Sequence, residues 1–201
     1  VALLQSVHET AAPARLLGMF HLEGVLVAGR AAGLSAGALS RVFAPKVSGA
    51  AALHAAAHTA PLRYFVSASS VASLLGAARQ GPHAAACSWL DTFSEWRRNA
   101  GLEAHATQWG EIVSGSGGGA SLPVREGLVA LSSRSAVHAL ASVLASTSGV
   151  RCVIAADWSA YLAATTATSE LEGMVVAWRH RSRRRVTPAI VASGGDKVDL
   201  A

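Results

Sequence analysis

Short apolar runs alternate with segments of helical periodicity along most of this sequence. Apolar runs of about four to eight residues that are bounded by turn residues are typical of buried strands. The pattern predicts strands at 15–20, 64–69, 102–109 and 151–156. It predicts helices at 36–43, 47–58, 83–98, 123–131, 135–147 and 158–167, and shows helical periodicity at 1–9. This alternation favours an α/β fold, in which crossover helices cover a parallel sheet.

Cap and turn residues mark the ends of several predicted helices. Ser35 is a suitable N-cap for the helix at 36–43, because its hydroxyl can accept a hydrogen bond from an N–H of the first turn. Pro45 is expected to end that helix, since proline lacks the N–H that would continue it. Pro82 suits the first turn of the helix at 83–98, and Gly101 suits the position just beyond its end.

The composition is that of one globular domain. The chain has 201 residues, of which 51% are hydrophobic and 14% charged, although 43 residues are alanine. This composition excludes intrinsic disorder for most of the chain, and no stretch has the length and character of a membrane span. No secretory signal opens the sequence. Cys87 and Cys152 do not form a disulfide framework, so a reducing, cytoplasmic location is expected.

The net charge of +5 has a local origin. Five of the 17 basic residues lie close together near the end of the chain, and without them the basic and acidic residues balance; they are Arg179, Arg181, Arg183, Arg184 and Arg185. Such a run near a terminus is more typical of a solvated linker than of a nucleic-acid-binding surface. We therefore interpret 173–201 as a basic, flexible tail that follows a domain at 1–172.

A dinucleotide-binding fold is often marked by the pattern G-x-G-x-x-G between its first strand and first helix. The formal match here is Gly115, Gly117 and Ala120, in a glycine- and serine-rich segment after a late strand. No acidic residue lies between Glu126 and Asp157, where a ribose-binding carboxylate would be expected. We interpret this segment as a loop and not as a cofactor fingerprint.

Four chemically capable residues stand at an informative spacing. Lys46 precedes Ser70 by 24 positions, and Ser70 precedes His83 by 13. Cys87 follows His83 by four, which places both on one face of a helix. With its surroundings, this spacing resembles the ketoreductase domain of modular type I polyketide synthases, a branch of the short-chain dehydrogenase/reductase family. The segments that carry the resemblance are 44–50 (APKVSGA), 69–76 (SSVASLLG), 80–87 (QGPHAAAC), 108–110 (QWG) and 156–158 (ADW).

The resemblance covers about 1–172 and implies a fold, a reaction and partners. The implied fold is the C-terminal part of a Rossmann-like, doubly wound parallel sheet, with the first strands and the glycine-rich turn missing. The implied reaction is NADPH-dependent reduction of a β-ketoacyl group carried on an acyl carrier protein. In that reaction a tyrosine donates a proton, a serine binds the carbonyl oxygen, and a lysine and an asparagine hold the proton relay and ribose. The implied partners are the acyl carrier protein and neighbouring domains of a megasynthase, without nucleic acid or membrane.

Two of the four implied catalytic positions depart from the family pattern. Lys46 and Ser70 match the lysine and the serine, but His83 replaces the tyrosine and Cys87 replaces the asparagine. An imidazole donor lies about 2 Å closer to the backbone than a phenol oxygen, and misplacement by about 1 Å can cost on the order of a hundredfold in rate. A thiol is also a weaker hydrogen-bonding group than an amide. These differences predict a catalytically degenerate domain.

The segment after the first predicted strand contains the candidate cofactor-binding residues. His21-Leu22-Glu23-Gly24 stands where the family has His-Ala-Ala-Gly, so His21 and Gly24 are the candidate cofactor-binding residues. Leu22 adds bulk against the cofactor, and Glu23 adds negative charge near its phosphates. These two residues predict weak NADPH binding.

The family's first strands would precede Val1, which affects the strand at 15–20. A central strand of a doubly wound sheet is normally paired along both edges. Without one partner, this strand is expected to be an apolar edge that invites pairing with another chain. We expect the isolated chain to be marginally stable and prone to association.

Other interpretations of the histidines and cysteines are weaker. His83 and Cys87 could form a base and nucleophile pair, but no third orienting group is identifiable. His54 and His58 share a helix face, yet no third metal ligand is marked. Trp89, Leu90, Phe93 and Trp96 form a helical stripe that is typical of a core or an interface.

Three hypotheses follow. The first is a degenerate, non-reducing ketoreductase-type domain that is retained as a structural part of a polyketide synthase. The second is a weakly active reductase in which His83 donates the proton. The third is a non-catalytic interaction module whose basic tail at 179–185 binds a partner.

Overall fold

The computed structural model describes residues 16–57, 60–113, 126–164 and 189–192. The strands are β1 (Gly18–His21), β2 (Tyr64–Ser70), β3 (His105–Trp109), β4 (Ile112–Val113), β5 (Leu128–Val129), β6 (Leu131–Ser132), β7 (Val150–Ala156) and β8 (Ala189–Ala192). The helices are α1 (Ala36–Phe43), α2 (Gly49–Ala57), α3 (Ala72–Leu75), α4 (Gly81–Asn99), α5 (Ser133–Leu144) and α6 (Trp158–Ala164). A 3-10 turn lies at Ala31–Gly33 and a π-helical turn at Ala44–Ser48.

The chain divides into two compact units. The first comprises 1–108 and 143–151, and the second comprises 109–142 and 152–201. In the first unit β1 and β2 are parallel, with Gly18 opposite Tyr64 and His21 opposite Ser67. β3 lies beside β2, and the start of β7 lies beside β3. Because β1 and β2 are parallel, their carboxyl ends lie at the same edge of the sheet. The predicted α/β fold class is confirmed.

In the second unit, the remainder of β7 pairs with β5 in the antiparallel direction. β8 also pairs with β7, and β4 forms a separate parallel pair with β6. The β5–β7 pair is thus an antiparallel addition to the α/β fold.

The prediction of a helix at 123–131 is wrong for residues 126–131, which are the part that the structure describes. Gly127 has a φ of +82°, and an added Cβ would lie 2.2 Å from the backbone nitrogen of Tyr161. Glycine therefore permits both the turn and the close approach of this segment to α6. After the turn, Leu128 and Val129 pair with Ala156 and Ala155 of β7, and so form a strand.

Pro45 does not end the helix in which it lies. α1 begins as predicted, with the Ser35 hydroxyl accepting from the Ala38 N–H at 3.2 Å. The chain then continues through the π-helical turn into α2, and the Gly49 N–H donates to the Ala44 carbonyl five residues earlier. A wider turn tolerates the missing proline N–H, so the expected break becomes a π-bulge inside a continuous helical segment.

The long helix α4 supplies much of the core of the first unit. Its first turn contains Pro82, and Gly101 just beyond its end has a φ of +76°, both as predicted. Leu90 and Phe93 of α4 pack with Phe65 of β2 and with Ala50. Within the predicted aromatic stripe, Trp89 and Phe93 stack at a centroid distance of 4.7 Å, while Trp96 is largely exposed. The stripe is therefore core along most of its length.

Several predictions concern residues outside the described ranges. They are the helical periodicity at 1–9, the loop that contains Gly115, Gly117 and Ala120, His58, the domain boundary at 172 and the basic run at 179–185. Of the predicted tail, the four residues of β8 are described. No helix in the described ranges is long and apolar enough to cross a membrane.

β1 forms one end of the strand order, and no described strand pairs with its outer edge. Leu17, Phe20 and Leu22, in and beside this strand, are 57%, 47% and 68% exposed. An exposed apolar edge is a template for pairing with another chain. We therefore predict that the 201-residue chain self-associates, and that Phe20→Lys shifts it towards monomer, as measured by analytical ultracentrifugation.

Val137→Lys is the control for this prediction, because Val137 is also apolar and exposed but lies on α5. It should leave the association unchanged. A chain that is monomeric throughout the accessible concentration range contradicts the prediction, as does an equal effect of the two substitutions.

Candidate active site

Lys46 lies at the carboxyl edge of β1 and β2, although it comes from a helical segment. The π-helical turn carries it, and its side chain is 5% exposed. Its ammonium group donates to the Ala68 carbonyl of β2 at 2.9 Å. A Cβ added at Gly24 would lie 3.2 Å from the Lys46 Nζ, so the backbone at this position passes close to the ammonium group. The predicted pair of Lys46 and Gly24 is thus brought together.

His21 holds the backbone of the same turn. Its Nε2 donates to the Lys46 carbonyl at 3.1 Å, since a carbonyl oxygen can only accept. A Cβ at Gly49 would lie 3.0 Å from the His21 Cε1, so glycine leaves room for the ring. Burial is the main factor that lowers the pKa of His21, although its bond to Lys46 raises it. His21 therefore acts on Lys46 as a neutral hydrogen-bond donor.

Ser70 is the last residue of β2 and is half-buried. Its hydroxyl oxygen accepts from the Ala72 N–H at 3.2 Å. Among the described residues, the side-chain hydrogen bond of Ser70 is this accepted one, and no bond in which its hydroxyl donates is found. A serine hydroxyl carries one hydrogen and two lone pairs, so Ser70 keeps a hydrogen available for an incoming carbonyl oxygen.

His83 and Cys87 face each other across one turn of α4, as their spacing predicts. The His83 Nε2 and the Cys87 Sγ are 3.6 Å apart and share a hydrogen bond. Cys87 is completely buried, and the other ring nitrogen of His83, Nδ1, is buried with no hydrogen-bond partner. The neighbouring Ser69 donates to the Cys87 carbonyl at 3.2 Å, which ties α4 to the end of β2.

The charge of Lys46 reaches both of these side chains. Burial, followed by the positive charge of Lys46, lowers the pKa of His83 to about 4. Burial raises the pKa of the Cys87 thiol, and the Lys46 charge opposes this rise. At neutral pH the pair is therefore an uncharged imidazole and an uncharged thiol.

A second group of polar side chains borders this site and was not predicted from the sequence. Gln108 at the end of β3 donates from Nε2 to Asp91 of α4 at 2.8 Å and to the hydroxyl of Ser73 at 3.1 Å. The Ser73 hydroxyl lies 2.7 Å from Asp91 Oδ2 and 2.8 Å from the Ser70 carbonyl. We call Ser73, Asp91 and Gln108 the Asp91 cluster. The available sequence signal was that Asp91 lies four positions after Cys87, on the same helix face.

His54 makes the contacts of a packed side chain and not those of a metal ligand. Its Nδ1 is hydrogen-bonded to the guanidinium group of Arg97, and its ring packs edge-on against Phe93 and Trp96. Arg97 also stacks on the ring of Phe65 at 4.0 Å from its centroid. No group of three metal-ligating side chains occurs within the part of the chain that the structure describes.

The candidate site residues lie in a segment that matches a known family. A model of the KR domain matches residues 1–114, which is more than half of the chain and includes all six predicted site residues. The chain belongs to the KR domain family. This family is the ketoreductase domain of polyketide synthases, so the resemblance inferred from the motifs is confirmed.

The curated relatives of this KR domain are polyketide synthases. A mycocerosic acid synthase-like polyketide synthase of Mycobacterium tuberculosis is 43% identical over 101 residues, which are 50% of this chain and 5% of the relative. One of the phenolphthiocerol/phthiocerol polyketide synthase proteins of the same species is 38% identical over 96 residues, 48% of this chain and 5% of that protein. The matched half of this chain therefore corresponds to about one-twentieth of the length of each relative.

Solved ketoreductases have a similar fold. A structure described as A-type ketoreductases from a modular polyketide synthase is 30% identical, with a TM-score of 0.77, and the match covers 88% of this chain and 39% of that one. The first ketoreductase of the tylosin polyketide synthase is 34% identical, with a TM-score of 0.71, over 81% of this chain and 36% of that one. The match therefore covers less than half of each of these solved ketoreductase chains.

The electrostatic coupling between Lys46 and His83 can be tested directly. Lys46→Gln removes the positive charge but keeps a side-chain N–H for the Ala68 carbonyl. The pKa of His83 should rise above about 4, because a repulsive charge is removed, yet stay below the ordinary 6.5 because burial is the larger cause. An NMR titration of the His83 imidazole measures the change.

Arg63→Gln is the control for this titration. Arg63 is an exposed cation of the same unit and does not contribute to the shift at His83. The pKa of His83 should be unchanged in this variant. An unchanged pKa of His83 in Lys46→Gln would contradict the coupling.

Proposed function

We propose that this KR domain is a non-reducing, structural part of a polyketide synthase. The observation that carries the proposal is the pairing of His83 with Cys87 on α4, at the positions where the resemblance implies tyrosine and asparagine. The implied family reaction reduces a β-ketoacyl group on an acyl carrier protein to a β-hydroxyacyl group. That reaction needs a proton donor beside the carbonyl oxygen.

His83 is a poor donor at neutral pH. With a pKa of about 4, its ring is protonated in roughly one molecule per thousand at pH 7. Neutral imidazole is a very weak acid. Its Nε2 is already hydrogen-bonded to the Cys87 thiol, and its Nδ1 is buried. Both nitrogens are therefore unsuited to protonate a substrate alkoxide.

Cys87 does not replace an asparagine amide. An amide offers two donors and one strong acceptor, whereas a thiol is a weak donor and a weak acceptor. The Cys87 side chain is also fully buried and hydrogen-bonded to His83. The α4 half of the site has lost its proton relay.

The β2 half of the site retains the groups that fit its family roles. Ser70 keeps a hydroxyl hydrogen for a carbonyl oxygen, and Lys46 places its ammonium group at the same sheet edge. These residues suit the binding and orientation of a ketoacyl group. They do not replace the missing acid.

The cofactor implied by the family is NADPH, which supplies a hydride when it is bound. Lys46 fits its ribose, because Nζ has donors beyond the one used by Ala68, and the backbone of Gly24 passes close to the same ammonium group. Leu22 and Glu23 do not favour NADPH. Both side chains are exposed immediately after β1, where they add bulk and negative charge. We infer weak NADPH binding, a cytoplasmic location, and contacts with an acyl carrier protein and neighbouring synthase domains.

The central experiment measures NADPH oxidation with a β-ketoacyl thioester in the protein at its full natural length. We expect a rate no higher than that of His83→Ala between pH 5 and pH 8. An active polyketide synthase ketoreductase, assayed in parallel, is the positive control. Turnover that increases at acid pH and is lost in His83→Ala would overturn the proposal in favour of a reductase with His83 as its acid.

A separate prediction concerns the cofactor. The double substitution Leu22→Ala and Glu23→Ala produces the family segment His-Ala-Ala-Gly and removes both bulk and negative charge. NADPH should then bind more tightly, as measured by the change in its fluorescence on titration. Leu26→Ala, at another exposed apolar residue of the same loop, should have no effect. Equal NADPH affinity in the double variant and the unmodified protein contradicts the prediction.

A further inference from the structure

We propose that the Asp91 cluster is a hydrogen-bonded clamp that positions Ser70. Its three members come from three elements: Ser73 from α3, Asp91 from α4 and Gln108 from β3. They meet beside the end of β2, where Ser70 lies. The proposal rests on the proposed function only in giving Ser70 the role of binding a carbonyl oxygen.

The hydrogens of the cluster can be counted. The side-chain amide nitrogen of Gln108 donates to both Asp91 Oδ2 and the Ser73 hydroxyl oxygen. The Asp91 carboxylate can only accept. The single hydroxyl hydrogen of Ser73 has two acceptors in range, Asp91 Oδ2 and the Ser70 carbonyl, and is shared between them. Each member thus restricts the orientation of the other two.

The Asp91 cluster contacts Ser70 at the backbone carbonyl of Ser70. The bond from Ser73 restrains the Ser70 carbonyl, and the Ala72 N–H restrains the Ser70 hydroxyl oxygen. The hydroxyl hydrogen is the polar group of Ser70 that this arrangement leaves free to donate. A donor whose oxygen is fixed before the ligand arrives needs little reorganisation on binding.

A purely stabilising role does not account for this cluster. Asp91 Oδ1 is buried with no hydrogen-bond partner, and an unsatisfied buried acceptor costs stability. Apolar residues at the same three positions would avoid that cost, because well-packed apolar groups often match or exceed buried charged groups in stability. What the polar cluster adds is a defined geometry for the turn after β2.

The test measures hydrogen exchange of the Ala72 amide by NMR in the full chain. Gln108→Glu places a carboxylate where the amide donates to Asp91, so the two charges repel and the clamp opens. We expect exchange at Ala72 to accelerate by about tenfold, which corresponds to the loss of one typical hydrogen bond. The Ala106 amide, which donates to the Gly149 carbonyl, serves as a reference and should be unaffected.

The double variant Asp91→Asn with Gln108→Glu exchanges donor and acceptor across the same contact. It should return Ala72 exchange to within about threefold of the original rate, because the amide of residue 91 now donates to the carboxylate of residue 108. Thr92→Ala, next to Asp91 but exposed and bonded to the Ser88 carbonyl, is the control that should change nothing. Ser73→Ala should also accelerate exchange at Ala72. It replaces Gln108→Glu as the test variant if Gln108→Glu does not fold.

Three outcomes would overturn the clamp. One is unaltered exchange at Ala72 in both Gln108→Glu and Ser73→Ala. The second is equal acceleration at Ala72 and Ala106, which would indicate general destabilisation. The third is a double variant that exchanges as fast as Gln108→Glu. None of these outcomes depends on whether the protein oxidises NADPH, so the clamp and the proposed function can fail independently.

Discussion

A buried ammonium group organises the carboxyl edge of β1 and β2. Removal of a lysine charge from water is costly unless hydrogen bonds compensate for the lost hydration. Lys46 meets this requirement through the Ala68 carbonyl of β2, and the π-helical turn gives its side chain the reach to do so. His21 holds the carbonyl of the same residue, so both ends of Lys46 are attached to the sheet edge. Gly24 and Gly49 suit this arrangement, since a Cβ at either would lie 3.0 Å from a side-chain atom of Lys46 or His21, a tight contact.

The same charge acts on a side chain of the neighbouring helix. Burial, followed by the positive charge of Lys46, lowers the pKa of His83 to about 4, so the imidazole in the implied tyrosine position is neutral at physiological pH. A tyrosine would respond in the opposite direction, because a nearby positive charge favours the phenolate and so eases proton release. The environment that suits a tyrosine therefore works against a histidine.

The fold and the chemistry are separable in this domain. His83 and Cys87 lie near the start of α4, whereas the side chains that pack the helix onto β2 are Leu90 and Phe93 further along. Exchange of the reactive side chains therefore leaves the main packing surface intact. The proposed loss of the proton relay is therefore compatible with an intact architecture and with the Ser70 half of the site.

The local signals of the sequence were sufficient for much of the fold and for the composition of the site. Ser35, Pro82 and Gly101 marked helix ends correctly, because a cap depends on neighbours within a few residues. The spacing of Lys46, Ser70, His83 and Cys87 singled out these four residues, and the charge of Lys46 acts on both His83 and Cys87.

Tertiary structure decided the rest. Pro45 lies in a widened turn and does not break the helix, and the next residue, Lys46, is held by β1 and β2. Whether 128–129 forms a helix or a strand depended on the approach of Gly127 to Tyr161 and on pairing with β7. The Asp91 cluster joins residues 17 and 35 positions apart, and no local periodicity encodes such a contact. The sequence by itself determined which groups are available, and the packing of distant elements determined which hydrogen bonds they form, because such bonds require atoms within about 3 Å of each other.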